Sequence, residues 1–125
     1  MPKYDFIQVE DSDLDIADIR EEAEKQGLSF KMLSTLSDLA ETVQQDDADI
    51  WVVDGFFPNT EGGRAEKNAG RAVEIIRKTR ADAMIIIYSS APPAFADIGE
   101  KIINKYYMDP KALVTEIRRR LRGGN

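Results

Sequence analysis

The stretch DIWVVDGFFP, Asp49 to Pro58, decides the fold. Four apolar residues, Ile50 to Val53, run without a polar interruption between two acids. An alternating pattern would mean a strand with one face in water. An unbroken run of this length means a central strand covered on both faces, as in a parallel sheet. The run closes on Asp54 and Gly55, so an acid stands at the carboxyl end of the most buried strand.

Working toward the N-terminus, Leu36, Leu39, Ala40 and Val43 recur at helical spacing. Leu28 to Leu33 reads as a strand before that helix. Ser12 and Asp15 have capping-box spacing, and Ile16, Ile19 and Ala23 carry a first helix that Gly27 stops. Tyr4 to Val9 reads as the first strand.

Working toward the C-terminus, Asn59 to Asn68 (NTEGGRAEKN) reads as a solvated loop. Ala69, Ala72, Val73 and Ile76 mark a third helix to about Arg80, and Met84 to Tyr88 is another unbroken apolar strand. Ala91-Pro92-Pro93 breaks the chain. Lys101 to Asn104 is a short fifth strand. Pro110 sits near the start of a last helix carried by Leu113, Val114, Ile117 and Leu121, which Gly123-Gly124 end. Strands alternating with helices mean a mainly parallel sheet with helices on both faces, in one domain over residues 1–125.

Composition narrows the chemistry. The chain has neither Cys nor His. That excludes disulfides, thiolate or imidazole metal sites, a Ser-His-Asp triad and a phosphohistidine on this chain. Carboxylates, Lys, hydroxyls and a hard metal remain. The absence of Cys suits a reducing cytoplasm. The start MPKYDF lacks a basic segment followed by an apolar run, so no signal peptide is expected, and Ala83 to Tyr88 is too short to cross a bilayer. A net charge of −6 disfavours nucleic acid as a partner. Arg118, Arg119, Arg120 and Arg122 read as cations closing a helix rather than a nucleic-acid patch.

In open α/β sheets, ligands sit beyond the carboxyl ends of the strands. Glu10 and Asp11 follow the first strand, Asp54 the third, Ser89 and Ser90 the fourth, and Lys105 the fifth. Under a strand order of 2-1-3-4-5 the three acids converge. Clustered carboxylates repel unless a cation joins them. Mg²⁺ takes such hard oxygen ligands and leaves room for a phosphoryl oxygen.

These residues resemble the receiver domains of two-component signalling, over about Tyr4 to Leu121. Val9-Glu10-Asp11 resembles the acidic pair after strand 1. Val53-Asp54-Gly55-Phe56-Phe57-Pro58 resembles the Asp-x-x-x-Pro motif around the phosphorylated aspartate. Ser90-Ala91 resembles the Thr/Ser-Ala pair, and Lys105 the lysine after strand 5. The resemblance implies a flavodoxin-like, doubly wound five-stranded parallel sheet of order 2-1-3-4-5. It implies a response regulator that takes a phosphoryl group on Asp54 from a sensor histidine kinase or phosphotransfer protein. Mg²⁺ would be held by Glu10, Asp11, Asp54 and the Phe56 backbone carbonyl, with Ser90 and Lys105 on the phosphoryl group. Output would run through contacts with a downstream protein in the cytoplasm, without nucleic acid or membrane. No enzymatic activity is implied beyond slow self-dephosphorylation, because Phe56 and Pro92 are apolar at the positions that tune the hydrolytic water.

Departures from the pattern are specific. Glu10 stands where Asp is commoner. Tyr106 follows Lys105 where receivers usually have Pro, before which a cis peptide aims the lysine. Only 14 residues separate Ser90 from Lys105, so helix 4 is expected to be shortened or missing, and Ile102 replaces a frequent aromatic. The loop 59–69 is longer than usual and could serve as a lid or a partner contact. These departures motivate an alternative, a phosphorylation-independent pseudo-receiver acting as a docking module.

Plainer readings stand beside each residue. Asp13 and Asp15 serve a helix N-terminus. Asp54-Gly55 could be a turn pair, Ser89 and Ser90 could bond nearby backbone, and Lys105 could be an ordinary surface lysine. Trp51, Phe56 and Phe57 read as packing, with Tyr106 and Tyr107 half-buried. A topoisomerase-primase or phosphohydrolase site is disfavoured, since Phe56 stands where a second acid is needed. Nucleotide binding is disfavoured because EDSDLD replaces a Gly-rich turn.

Overall fold

The computed structural model describes residues 3–123; Met1, Pro2 and the expected helix-ending Gly124 lie outside them. Strands β1 (Lys3–Val9), β2 (Phe30–Leu33) and β3 (Asp47–Asp54) alternate with helices α1 (Asp13–Lys25) and α2 (Leu36–Gln45). A short hairpin, β4 (Phe56–Phe57) with β5 (Glu66–Lys67), precedes α3 (Ala69–Thr79). Strand β6 (Met84–Ser89), a 3₁₀ segment (Pro92–Ile98), β7 (Lys101–Asn104) and α4 (Pro110–Leu121) complete the chain.

The main sheet is parallel throughout, in the order β2-β1-β3-β6-β7. Leaving the hairpin aside, this is the expected order 2-1-3-4-5. The alternation of β3 sorts its side chains between two cores. Trp51 and Val53 join Leu39, Val43, Val73 and Ile76 under α2 and α3. Ile50 and Val52 join Ile19, Ala23, Leu113 and Ile117 under α1 and α4. Both faces are covered, which is why the sequence of β3 does not alternate.

Helix starts follow the local signals. Ser12, Thr35 and Asp109 each accept from a backbone N–H three residues on. Gly27, with φ +72°, takes the left-handed conformation that ends α1. Gly123 does the same after α4, with φ +82°.

Two differences from the sequence reading stand out, and a third feature matches it. Residues 59–68 are not only a loop. They fold back so that Glu66-Lys67 pairs antiparallel with Phe56-Phe57. The buried Asn68 amide donates to Phe57 O and to Asn59 Oδ1, both at 2.8 Å, and α2 donates Leu36 N–H and Ser37 N–H to Pro58 O and Asn59 O. The connection therefore caps α2 while residues 60–67 stay in solvent. Second, Tyr106 and Tyr107, expected to be half-buried, are 80% and 89% exposed. They sit in the turn before α4, where Tyr107 N–H and Met108 N–H both return to Asn104 O and leave the rings outside. Third, the shortened fourth helix takes the form of the 3₁₀ segment, started by Pro92-Pro93 and stopped by Gly99 at φ +84°.

Two buried polar groups have no hydrogen-bond partner among the described residues, the Gln8 amide and Trp51 Nε1. Gln8 lies in β1 and is fully buried. An orphaned amide carries its full desolvation cost. We expect Gln8→Leu, which is similar in size, to raise unfolding stability by about 1 kcal/mol. A shift of the urea midpoint to lower concentration would show that the amide is satisfied.

Candidate functional site

The site forms where β1, β3 and β7 end. The register pairs Val9 with Val53, so the residues that follow them leave the sheet side by side. Glu10 continues the parity of Phe6 and Gln8, and Asp54 that of Ile50 and Val52, so both point toward the α1 and α4 layer. Carboxylate oxygens of Glu10, Asp11 and Asp54 lie within 4.8 Å of one another. Glu10 is fully buried, Asp54 nearly so, and Asp11 exposed.

Lys105 closes the cluster. Its backbone N–H donates to Ser89 O at 3.0 Å, fixing it beyond β7. Its Nζ lies 3.0 and 3.1 Å from the two Glu10 oxygens, 3.1 Å from Asp15 Oδ2 and 3.4 Å from Asp54 Oδ1. The ammonium also sits 5.1 Å from the centre of the Tyr88 ring, whose hydroxyl donates to Met108 O. Lys105 is thus no surface lysine. The contacts to Glu10 and Asp15 hold the ammonium at the strand ends.

The electrostatics follow from crowding. Burial and the neighbouring Asp54 push the Glu10 carboxyl up to about 8, against the opposing pull of Lys105. Asp11 is raised for the same two reasons, burial first and then Asp54. Burial alone would lower Lys105, but Asp54 and Glu10 outweigh it and hold the ammonium above its ordinary value. Burial, helped by the nearby carboxylates, raises the Tyr88 hydroxyl. Among the described residues, Lys105 is the cation that Glu10, Asp15 and Asp54 contact, and its charge also acts on Asp11. The three carboxylates that could share one ion offer hard oxygen donors, a set that suits a divalent metal.

The remaining expected residues are placed less directly. Phe56 opens β4, two residues after Asp54, and its side chain is 40% exposed. Ser90 lies beyond β6 and is exposed. Ser89, its neighbour, is buried, and its hydroxyl accepts from Ala91 N–H at 3.0 Å. Gly55 is required by what surrounds it. A Cβ there would stand 2.5 Å from the Phe95 ring and 2.8 Å from Ser89 Oγ. Phe95, from the 3₁₀ segment, packs edge-on against Phe56 at 5.5 Å. Sequence reasoning assigned Asp15 to the helix start. Its N–H does donate to Ser12 Oγ, but its carboxylate goes to Lys105, and Ser12 N–H is served by Glu10 Oε2 instead. Phe95 was missed, and nothing local in the sequence marks it.

Solved structures share this architecture. A response regulator receiver protein from Sinorhizobium medicae matches with a TM-score of 0.74 at 16% identity, over 99% of this chain and 97% of that one. A CheY-like receiver domain protein from Methanospirillum hungatei matches at 0.73 and 15%, over 99% and 96%. The chain has the receiver-domain fold. The RcsB response regulator of Salmonella typhimurium, described for its DNA interaction, matches at 0.72 and 16% over all of this chain, which spans 63% of its length. No protein-family model matches the chain, and no curated protein matches it in sequence. At these identities the likeness establishes the receiver fold, and the chemistry rests on the cluster itself. Among the described residues, no helix is long and apolar enough to cross a membrane.

Proposed function

We propose that this receiver fold is a phosphoacceptor signalling module that takes a phosphoryl group on Asp54 from a partner kinase or phosphotransfer protein, with Mg²⁺. The observation that carries the reading is the convergence of Glu10, Asp11, Asp54 and Lys105 at one sheet edge. Structural ion pairs do not need three acids around one cation, because that arrangement is costly without further positive charge.

Glu10, Asp11 and Asp54 would hold the metal, with the Phe56 carbonyl as a backbone donor. When bound, Mg²⁺ supplies charge neutralisation for the carboxylates and the phosphoryl oxygens. An Asp54 oxygen attacks phosphorus, forming a P–O bond as the P–N bond of a phosphohistidine breaks, and the leaving imidazole takes up a proton. Lys105 offsets charge on the phosphoryl group, and a β6-end hydroxyl, Ser90 or Ser89, donates to one of its oxygens. Phe56 and Pro92 offer no group to orient water or to act as a base, so the aspartyl phosphate is long-lived and the domain acts through contacts with a protein target rather than as an enzyme. Uptake of one phosphoryl group from a small acyl-phosphate donor, tested by intact mass, decides the reading.

Metal binding should be proton-linked. Glu10 keeps its proton to about pH 8 in the metal-free fold, against 4.5 ordinarily. Between those values a metal must displace that proton. Mg²⁺ affinity, followed by fluorescence of the single tryptophan, Trp51, should therefore rise with pH, by up to about tenfold per unit from pH 6 to 8. A flat profile would mean that Glu10 is not displaced by the metal.

A further inference from the structure

We propose that Asp15 is a positioning residue for Lys105, keeping its ammonium beside Asp54 when a metal claims the acid triad. The inference rests on the phosphoacceptor reading for its consequence, though not for its geometry. Lys105 Nζ has three hydrogens to donate. In this structure Nζ donates to both Glu10 oxygens and to Asp15 Oδ2, and Asp54 Oδ1 lies 3.4 Å away as an ion pair. Glu10 and Asp54 belong to the group whose oxygens lie close enough to share one ion, and Asp15 does not. A cation bound by the triad competes with Lys105 for Glu10 and Asp54 and repels it. Asp15, projecting from the first turn of α1, is then the partner that Lys105 keeps.

Helix α1 does not need this carboxylate. Its start is capped by Ser12 Oγ, which accepts from Asp15 N–H, a bond any residue at position 15 can make. The reciprocal contact that a capping box would ask of the Asp15 carboxylate is taken by Glu10. The side chain bridges 90 positions of sequence to reach β7's end. A charge-assisted bond from α1 to the ammonium supplies its aim.

The test is direct observation of the Lys105 ammonium by ¹⁵N NMR in the full chain. With Mg²⁺ present, the wild-type Nζ hydrogens should exchange slowly. Asp15→Asn should speed exchange by about tenfold, the worth of one charge-assisted hydrogen bond. Asp15→Glu should restore slow exchange in part. Asp13→Asn, which removes an exposed acid from the same helix turn, should change nothing. Slow exchange surviving in Asp15→Asn overturns the proposal, as does an equal effect of Asp13→Asn. In metal-free protein the Asp15→Asn effect should be smaller, since Glu10 and Asp54 still hold the ammonium. An Asp15→Asn effect in metal-free protein as large as that with Mg²⁺ would also overturn the proposal, since Asp15 would then hold the ammonium whether or not a metal claims the other acids. At saturating Mg²⁺ the rate of phosphoryl uptake should fall about tenfold in Asp15→Asn. A wild type that takes up no phosphoryl group refutes the phosphoacceptor reading alone, because the exchange measurement stands without it.

Discussion

Incubated with Mg²⁺ and a small acyl-phosphate donor, the wild-type chain gains the mass of one phosphoryl group, and Asp54→Asn gains none. The substitution keeps the shape of the side chain and removes its nucleophile, since an amide oxygen does not displace a leaving group from phosphorus. The expected loss is on the order of 10³-fold or more in uptake rate. Its specificity comes from the neighbourhood. Glu10 is fully buried and holds Lys105, and Asp11 is exposed beside it. Neither stands at the end of the central strand β3. An equal gain in Asp54→Asn would move the chemistry to another carboxylate and end the assignment. The phosphorylated form should decay slowly, and a polar residue at position 56 should quicken the decay, because Phe56 is exposed enough to let water meet its replacement.

Lys105→Ala should be the most damaging single change to stability at the site, and its cost should depend on pH. Among the described residues, the ammonium is the cation that three acids contact, with only 18% of its side chain exposed. Removing one partner from such a buried arrangement costs about 3 kcal/mol or more. The fold has one escape, which is to protonate the carboxyls. Losing the cation lifts carboxyl pKa values that burial has already raised. The folded variant then binds more protons than the folded wild type, so raising the pH costs the variant more. The gap between variant and wild type should be small near pH 5 and largest near pH 8. Mg²⁺ replaces the missing charge and should raise the melting temperature of the variant more than that of the wild type. Lys105→Met, which keeps the apolar stem against Tyr88, should show the same pH-dependent loss. A pH-independent loss in Ala alone would mean that packing, not charge, was removed.

Much of this was readable from local pattern. The unbroken run before Asp54 announced a strand covered on both faces, and the two cores confirm why it does not alternate. Acids at strand ends are visible in sequence because strand ends are. Pairings across the sheet were less accessible. Glu66-Lys67 carries two charges and no β-branched residue, so no propensity announced β5; it forms because Asn68 and the start of α2 hold both ends of the connection. Tyr106 and Tyr107 look like core by composition and lie in water because the turn at Asn104 directs their backbone outward.

By itself the amino-acid sequence determined the order of the five sheet strands and the helices along the chain, though not the β4–β5 hairpin, and with it the parallel sheet and the chemical kind of the site, oxygen donors with a lysine and neither sulfur nor imidazole. Those properties depend on periodicity and on which residue ends a run, both read within one turn or strand. Tertiary structure alone decided which acids meet the lysine, that Glu10 is buried while Asp11 is exposed, that Asp15 rather than Asp13 reaches across to Lys105, and that Ser89 rather than Ser90 is enclosed. Such choices turn on strand register and on the angle at which α1 packs over the sheet, where a few ångströms separate an ion pair from a solvated charge and no local pattern records the difference.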